Sequence, residues 1–219
     1  MNSPDGAHAF SANEADHRWD PWTPSVVAAR LASSPVPWAV AGGWALDLFA
    51  GEVSRAHDDI EISIPRTAFR QIAAVFPEYE WDVPGDGTLW PYAQAAERAD
   101  LHQTWLRDPS TGTFHLDVFR EPHDGNTWIC RRDNTIRLPY TDLLRRSRTT
   151  EIPYLVPEVV LLFKARANRP KDDNDFHRIL PLLLGYQLAR LNSWLGRVHP
   201  GHSWLTEIAR ATGSAPSGQ

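Results

Sequence analysis

The chain has 219 residues, of which 42% are hydrophobic and 22% charged, the ordinary balance of a globular protein with one domain or two small ones. Its formal net charge of −5 argues against a protein that coats nucleic acid with a basic surface, and no apolar run reaches the ~20 residues of a membrane helix. A single cysteine, Cys130, excludes an intramolecular disulfide and fits a reducing cytoplasm, where we expect the protein.

The first 18 residues contain no basic segment followed by an apolar stretch. We therefore expect no signal peptide there, but a disordered or weakly docked tail over residues 1–18. The first helix is predicted to begin at Pro24, with Thr23 as its N-cap. A short apolar strand, WAVA, then leads into Gly42-Gly43, and the helix WALDLFA ends at Gly51.

Two later segments alternate as strands do. In DIEISI the isoleucines share one face, while Asp59 and Glu61 share the other and Asp58 lies with the isoleucines or at the edge. In TFHLDVF, Asp117 is a lone carboxylate in an otherwise apolar strand, where it would be costly without a partner. His57 flanks the acids without metal-ligand spacing, so we expect a structural role for it.

From about residue 141 the pattern becomes helical, in VPEVVLLFKARA, RPKDDNDFHRIL and LLGYQLARLNSWL. The last of these places four leucines on one stripe, Leu184, Leu188, Leu191 and Leu195. The sequence therefore predicts an α+β protein, with a mixed sheet and flanking helices in residues 19–145 and a helical region in residues 146–219.

The acids and glycines indicate phosphate chemistry, although each has an ordinary alternative. Two acidic residues two apart on a strand point the same way, with Cα atoms about 6.5 Å apart. Their carboxylates can bind Mg²⁺ together with a substrate phosphate, but they can also be solvated surface acids. Gly42-Gly43 before a helix lets backbone N–H groups approach a phosphate, or it is simply a tight turn.

Residues 38–64, WAVAGGWALDLFAGEVSRAHDDIEISI, together with HLDVF, resemble the polymerase-β-like nucleotidyltransferases. The likeness is greatest to the aminoglycoside and lincosamide adenylyltransferase branch, in particular the aminoglycoside 2''-adenylyltransferases. LHQTWLRDP and IPYLVPEVVLLFKARANRPKDDNDF extend it to roughly residues 19–205. It implies a nucleotidyltransferase domain in residues 19–145 and a substrate-side helical domain in residues 146–219.

The resemblance also implies roles for particular residues. Asp59, Glu61 and Asp117 correspond to ligands of one or two Mg²⁺ ions, and Asp117 acts as a ligand or as the general base toward the acceptor hydroxyl. Glu61 departs from the family pattern, in which many members have aspartate, but its longer side chain can still bind a metal ion, so we expect activity.

The nucleotide-binding residues implied by the resemblance are Gly42, Gly43, Arg55 and Lys164. Arg55 is equally consistent with a surface arginine, and Lys164 with a solvated lysine on a helix face.

The implied reaction is the transfer of AMP from ATP to a hydroxyl of a small cationic or hydroxylated antibiotic, foremost an aminoglycoside. The acidic segment PEYEWDVPGDGTLW either faces such a polycation, through Glu78, Glu80, Asp82 and Asp86, or is simply solvated.

A toxin-type nucleotidyltransferase acting on tRNA or protein is an alternative function, although the acidic net charge weighs against tRNA. A catalytically inactive nucleotide-binding protein is another. We expect neither nucleic acid nor membrane as partner; the acceptor, the nucleotide and the oligomeric state stay open.

Overall fold

The computed structural model describes residues 8–9, 17–167 and 169–213, and the structural statements below concern these residues. Within the predicted tail, His8–Ala9 form a short strand, β1, which pairs antiparallel with Thr88 and Leu89. Residues 1–7 and 10–16 of that tail lie outside the described part of the chain.

Most strands join one large sheet: β1 His8–Ala9, β2 Ala39–Val40, β3 Glu61–Pro65, β4 Glu80–Gly85, β5 Thr88–Pro91, β6 Gln103–Arg107, β7 Phe114–Glu121, β11 Leu144–Arg146 and β12 Pro153–Leu155. Among the described residues this sheet has nine strands, in the order β1-β5-β4-β6-β7-β3-β2-β12-β11. The remaining strands, β8 His123–Asp124, β9 Thr127–Ile129 and β10 Arg137–Pro139, form a small separate sheet. In the large sheet β3 runs parallel to its neighbour β7, which makes the sheet mixed.

The α-helices are α1 Pro24–Arg30, α2 Gly42–Ala50, α3 Phe69–Ala73, α4 Tyr92–Ala95, α5 Tyr140–Leu143, α6 Pro157–Lys164, α7 Pro170–Ile179, α8 Gly185–Val198 and α9 Ser203–Ala211. Their ends follow the local chemistry. The Thr23 hydroxyl accepts from the Val26 N–H at the start of α1, and Gly51, in the left-handed conformation with φ of 83°, ends α2. None of the helices in the described ranges is both long and apolar enough to cross a membrane.

The alternation predicted for β3 fixes which face of the sheet is apolar. Ile60, Ile62 and Ile64 are buried in one core cluster with residues of α1 and α3, among them Val27 and Phe69. The opposite face of the same strand therefore carries its polar residues.

A second core cluster joins the sheet to the C-terminal helices. It combines β2, α2 and β12 with α6, α7, α8 and α9. In the predicted leucine stripe of α8, Leu191 and Leu195 are fully buried, whereas Leu184 precedes the helix as its N-cap and is 59% exposed.

The predicted α+β class, with C-terminal helices after a mixed sheet, is confirmed. Strand β12 continues the sheet past residue 145, so the helical region begins with α6. The division of the chain into two domains at residues 145 and 146 stays a prediction.

Candidate active site

Gly42 and Gly43 form the turn from β2 into α2. Gly42 has φ of 57°, in the left-handed region, and a Cβ there would overlap with the Glu61 carboxylate. A Cβ on Gly43 would lie 2.6 Å from the His57 Cε1 atom. Ala41, the N-cap of α2, provides no side-chain hydrogen bond, so the first N–H groups of the helix keep their capacity to bind an anion.

Three carboxylates lie next to this turn. Glu61 is the first residue of β3 and pairs directly with Asp117 across the parallel β3–β7 ladder. Directly opposed residues on neighbouring strands share a face, and the strands lie about 4.8 Å apart. Asp59 precedes Glu61 by two residues, and its charge acts on both other carboxyl groups. The same row of pairing continues through Trp105 on β6 to Asp82 on β4.

All three acids have a raised pKa, with burial as the largest cause in each case. Burial and then the Glu61 charge raise the pKa of Asp117, which is 2% exposed, well above its usual value. Burial and then the Asp59 charge raise the pKa of Glu61 to about 7, and burial also raises the pKa of Asp59. A bound cation would reverse this tendency because it favours the ionised form of each group.

The carboxylates fit a divalent cation by their chemistry. Asp117 Oδ2 accepts a hydrogen bond of 2.6 Å from Gln103 Nε2, while Oδ1 is buried and has no hydrogen-bond partner of ordinary geometry among the described residues. The Trp105 side chain is nevertheless close enough to lower the pKa of Asp117. A buried oxygen such as Oδ1 is costly to leave unpaired, and Mg²⁺ is bound through carboxylate oxygens. Across the same residues, no group of three or more His, Cys, Asp or Glu side chains already converges as a metal centre. Asp59, Glu61 and Asp117 are thus adjacent without meeting at one point.

Basic side chains from beyond the sheet act on these acids. Lys164, at the end of α6, lies 3.0 Å from Asp172 Oδ1 and 2.8 Å from Asp175 Oδ2. Arg169 lies 2.8 Å from Asp172 Oδ2. Both cations oppose the rise in the pKa of Glu61, so their field reaches the place where an anion would meet α2.

A buried aspartate in α2, Asp47, holds together the segments around this turn through hydrogen bonds. Asp47, in α2, is 3% exposed and accepts hydrogen bonds from Ser54 Oγ at 2.8 Å, His57 Nε2 at 2.7 Å and Arg178 Nη2 at 2.5 Å. The His57 ring also stacks on Trp44, with ring centroids 4.3 Å apart. Asp47 thereby connects α2 to the loop before β3 and to α7.

All residues predicted to bind metal or nucleotide lie around this turn, although their roles stay predictions. Arg55 lies 3.6 Å from Asp175 Oδ2, and a Cβ on Gly43 would be 2.8 Å from its Nη2 atom. Sequence reasoning missed Asp172, Asp175 and Gln103. The two aspartates are three residues apart on one face of α7, which could have indicated a shared cation. No local pattern distinguishes Gln103.

The acidic segment predicted to face a polycation belongs mainly to the β4–β5 hairpin. Each of its four acids is paired: Glu78 with Arg30, Glu80 and Asp82 with Arg107, and Asp86 with Arg98. A polycation would therefore have to displace arginine side chains there.

Residues 25–108 match the family described as aminoglycoside-2''-adenylyltransferase. This range covers less than half of the chain; it includes Gly42, Gly43 and Glu61 but ends before Asp117. No curated protein sequence matches the chain.

Three solved structures are similar to most of the chain. ANT(2'')-Ia in complex with adenylyl-2''-tobramycin has a TM-score of 0.52 at 14% identity, covering 80% of this chain and 97% of that one. Lincomycin-bound lincosamide antibiotic adenylyltransferase LnuA has a TM-score of 0.49 at 15% identity, covering 78% and 96%. An antigenic nucleotidyltransferase-like protein from Paracoccidioides brasiliensis has a TM-score of 0.46 at 20% identity, covering 92% and 94%. At these identities the likeness concerns the fold.

The sequence match and the fold thus agree with each other. They confirm the predicted resemblance of this chain to the aminoglycoside adenylyltransferases, in sequence over residues 25–108 and in fold with ANT(2'')-Ia.

Proposed function

We propose that the protein is a Mg²⁺-dependent O-nucleotidyltransferase that transfers AMP from ATP to a hydroxyl group of a small-molecule antibiotic and releases pyrophosphate. The carrying observation is the direct pairing of Glu61 with Asp117 beside Gly42. An aminoglycoside is the first acceptor class to test because residues 25–108 match a family named for that activity. ATP as donor and a free, buried Cys130 fit a cytoplasmic location.

The triphosphate would lie against the N-terminus of α2. The missing side chains of Gly42 and Gly43 leave the backbone N–H groups open to phosphate oxygens, and the helix dipole favours the negative charge. Lys164 and Arg169 add positive charge on the side of α6 and α7. Together these groups would hold the α-phosphorus in place for an in-line attack.

Asp117 is the candidate general base. As the acceptor oxygen forms its bond to the α-phosphorus and the bond to pyrophosphate breaks, Asp117 would take the hydroxyl proton. Gln103 holds Oδ2 and leaves Oδ1 for this purpose. Mg²⁺ held by Asp59 and Glu61 would polarise the α-phosphate and offset charge on the leaving oxygens, and Asp117 would be a third ligand only when it is not acting as the base.

The test is release of pyrophosphate from each nucleoside triphosphate with Mg²⁺ and a panel of aminoglycosides and lincosamides. We expect turnover with ATP and at least one acceptor. Asp59→Asn should reduce kcat by 100-fold or more, about the loss of one charge-stabilising group. Asp58→Asn is the matched control. The Asp58 side chain is 85% exposed and forms an ion pair of 3.5 Å with Lys171 at the surface. We therefore expect the turnover of this variant to stay near that of the wild type.

Equal turnover of the two variants would contradict the metal assignment. Binding of Mg²⁺-ATP without turnover of any acceptor would contradict the antibiotic substrate.

A further inference from the structure

A cavity of about 170 Å³ extends from the candidate active site toward the small sheet. At one end it reaches Gly42 and Glu61. Its walls are mainly apolar and aromatic, formed by Leu155, Val160, Phe119, Trp128 and Phe163. Pockets that enclose a whole drug-sized ligand measure about 300–1,000 Å³, so this one admits a single ring system.

One buried acid in the cavity has a carboxylate oxygen without a hydrogen-bond partner. Glu121, at the end of β7, is 2% exposed, and its Oε1 atom accepts a hydrogen bond from Arg131. Its Oε2 atom is also buried but has no hydrogen-bond partner among the residues described. Leaving such an oxygen unpaired is unfavourable, so the cavity favours a ligand with an N–H or O–H donor.

The charges around the cavity restrict that donor to a neutral group. Arg131, Arg132, Lys164 and Arg169 line it, against two acids, so an ammonium group of a polycation would be repelled. Glu121 lies four residues along β7 from Asp117, at the end of the cavity away from Gly42, where a phosphate would meet its unpaired oxygen and be repelled by it. A flat, uncharged ring with an amino donor satisfies both conditions, since aromatic walls stack on planar rings.

We propose that this cavity takes the adenine ring of the nucleotide donor, with its exocyclic amino group donating to Glu121 Oε2. The inference rests on the proposed function, which puts the triphosphate at Gly42, the other end of the same cavity. Adenine carries an acceptor nitrogen beside its amino group. The amino group would donate to Glu121 and the ring nitrogen would accept from Arg131, which forms an ion pair with Glu121. A 6-oxo purine would present an oxygen to the carboxylate.

The experiment measures binding without any acceptor. Titration calorimetry with Mg²⁺ complexes compares ATP, purine riboside triphosphate, which lacks the 6-amino group, and inosine triphosphate, which carries a 6-oxo group. For the wild type, loss of the amino group should weaken binding about 10-fold or more, as expected for a hydrogen bond to a charged acceptor. In Glu121→Gln, the amide oxygen can stay with Arg131 and the NH₂ group can face the cavity. The ratio of ATP to inosine triphosphate affinity should then fall by at least 10-fold.

Glu158→Gln is the matched control. Glu158 is also a fully buried glutamate near an arginine, 3.5 Å from Arg190, but it does not line the cavity. This variant should keep the wild-type order of nucleotides.

Two results would overturn the adenine assignment: equal wild-type affinity for ATP and purine riboside triphosphate, or an unchanged ratio in a folded Glu121→Gln variant. If that variant does not fold, the wild-type comparison decides alone. Normal AMP transfer with no effect of the amino group would refute this inference and leave the proposed function intact. Failure of the wild type to bind any nucleotide would refute both.

Discussion

At the scale of single residues, the buried carboxyl group of Asp117 lowers the stability of the folded protein. It is buried, and its Oδ1 atom has no hydrogen-bond partner in the described ranges. Burial is the largest cause of its raised pKa, and the second is the charge of Glu61, the acid that pairs with it across the β3–β7 ladder. Sites of this kind commonly exchange stability for activity.

We therefore expect Asp117→Asn to stabilise the metal-free protein by about 1 kcal/mol while abolishing AMP transfer. The amide keeps an acceptor for Gln103 Nε2 and removes the repulsion from Glu61. Urea denaturation without Mg²⁺, followed by tryptophan fluorescence, measures the change. A lower free energy of unfolding in the variant would contradict this account of the cluster.

Asp47 is also buried, but unlike Asp117 it has a lowered pKa. Burial alone would raise its pKa, but hydrogen bonds from His57 and Ser54 outweigh burial and leave the pKa below its usual value. Arg178 adds an ion pair to the same carboxylate. The ionised form therefore stabilises the fold.

Asp47→Asn should lower the free energy of unfolding by about 3–5 kcal/mol at pH 7, the cost of breaking a buried ion pair. Because the pKa of Asp47 is lowered on folding, its contribution to stability is complete above 3.8, the usual pKa of an aspartate in an unfolded chain. It is lost as the pH falls through the folded-state pKa. Denaturation at pH values between 7 and 3 should thus show the difference between the two proteins shrinking only at the acidic end. A difference that shrank already between pH 7 and pH 5 would assign the effect to another group.

At the scale of elements, the start of α2 depends on a residue without a side chain. Gly42→Ala should destabilise the protein by about 1–3 kcal/mol and weaken Mg²⁺-ATP binding, because it combines a positive φ with a clash against Glu61. Gly51→Ala, at the other end of the same helix, has φ of 83° but open space around its added Cβ. It should cost stability through strain alone and leave nucleotide affinity unchanged.

Equal nucleotide affinity in Gly42→Ala and Gly51→Ala would contradict a role for the turn in phosphate binding. Thermal unfolding and titration calorimetry on both variants provide the comparison.

The elements differ in how far their sequence determines them. Strand alternation predicts the faces of β3 and β7, because a period of two residues assigns Glu61 and Asp117 to polar faces before any pairing is known. It does not predict that the two strands are neighbours, since that depends on the topology of the whole sheet. The partners of Asp47 illustrate the same limit, because Arg178 lies 131 residues away in sequence.

At the scale of the whole molecule, the sheet and the C-terminal helices share a core. Strand β12 pairs with β2, and the cluster around α2 includes residues of α6 to α9. Lys164, whose charge opposes the rise in the pKa of Glu61, also comes from this later part of the chain.

We therefore expect the full chain to unfold in a single transition, and a fragment of residues 19–145 to lack a cooperative transition of its own. Circular dichroism and tryptophan fluorescence during urea denaturation would test both. Two separate transitions, or a stably folded fragment, would instead support independent domains.

The row of pairing from Glu61 through Asp117 and Trp105 to Asp82 restricts how this chain can change in length. One extra residue inside β7 ahead of Asp117 would turn its carboxylate toward the isoleucine face and separate the two acids. The β4–β5 hairpin tip at Asp86-Gly87 lies beyond the last paired residues of both strands, so insertions there leave the row intact. Insertions and deletions in related sequences should accordingly concentrate at such hairpin tips, while the number of residues between Phe114 and Asp117 stays constant.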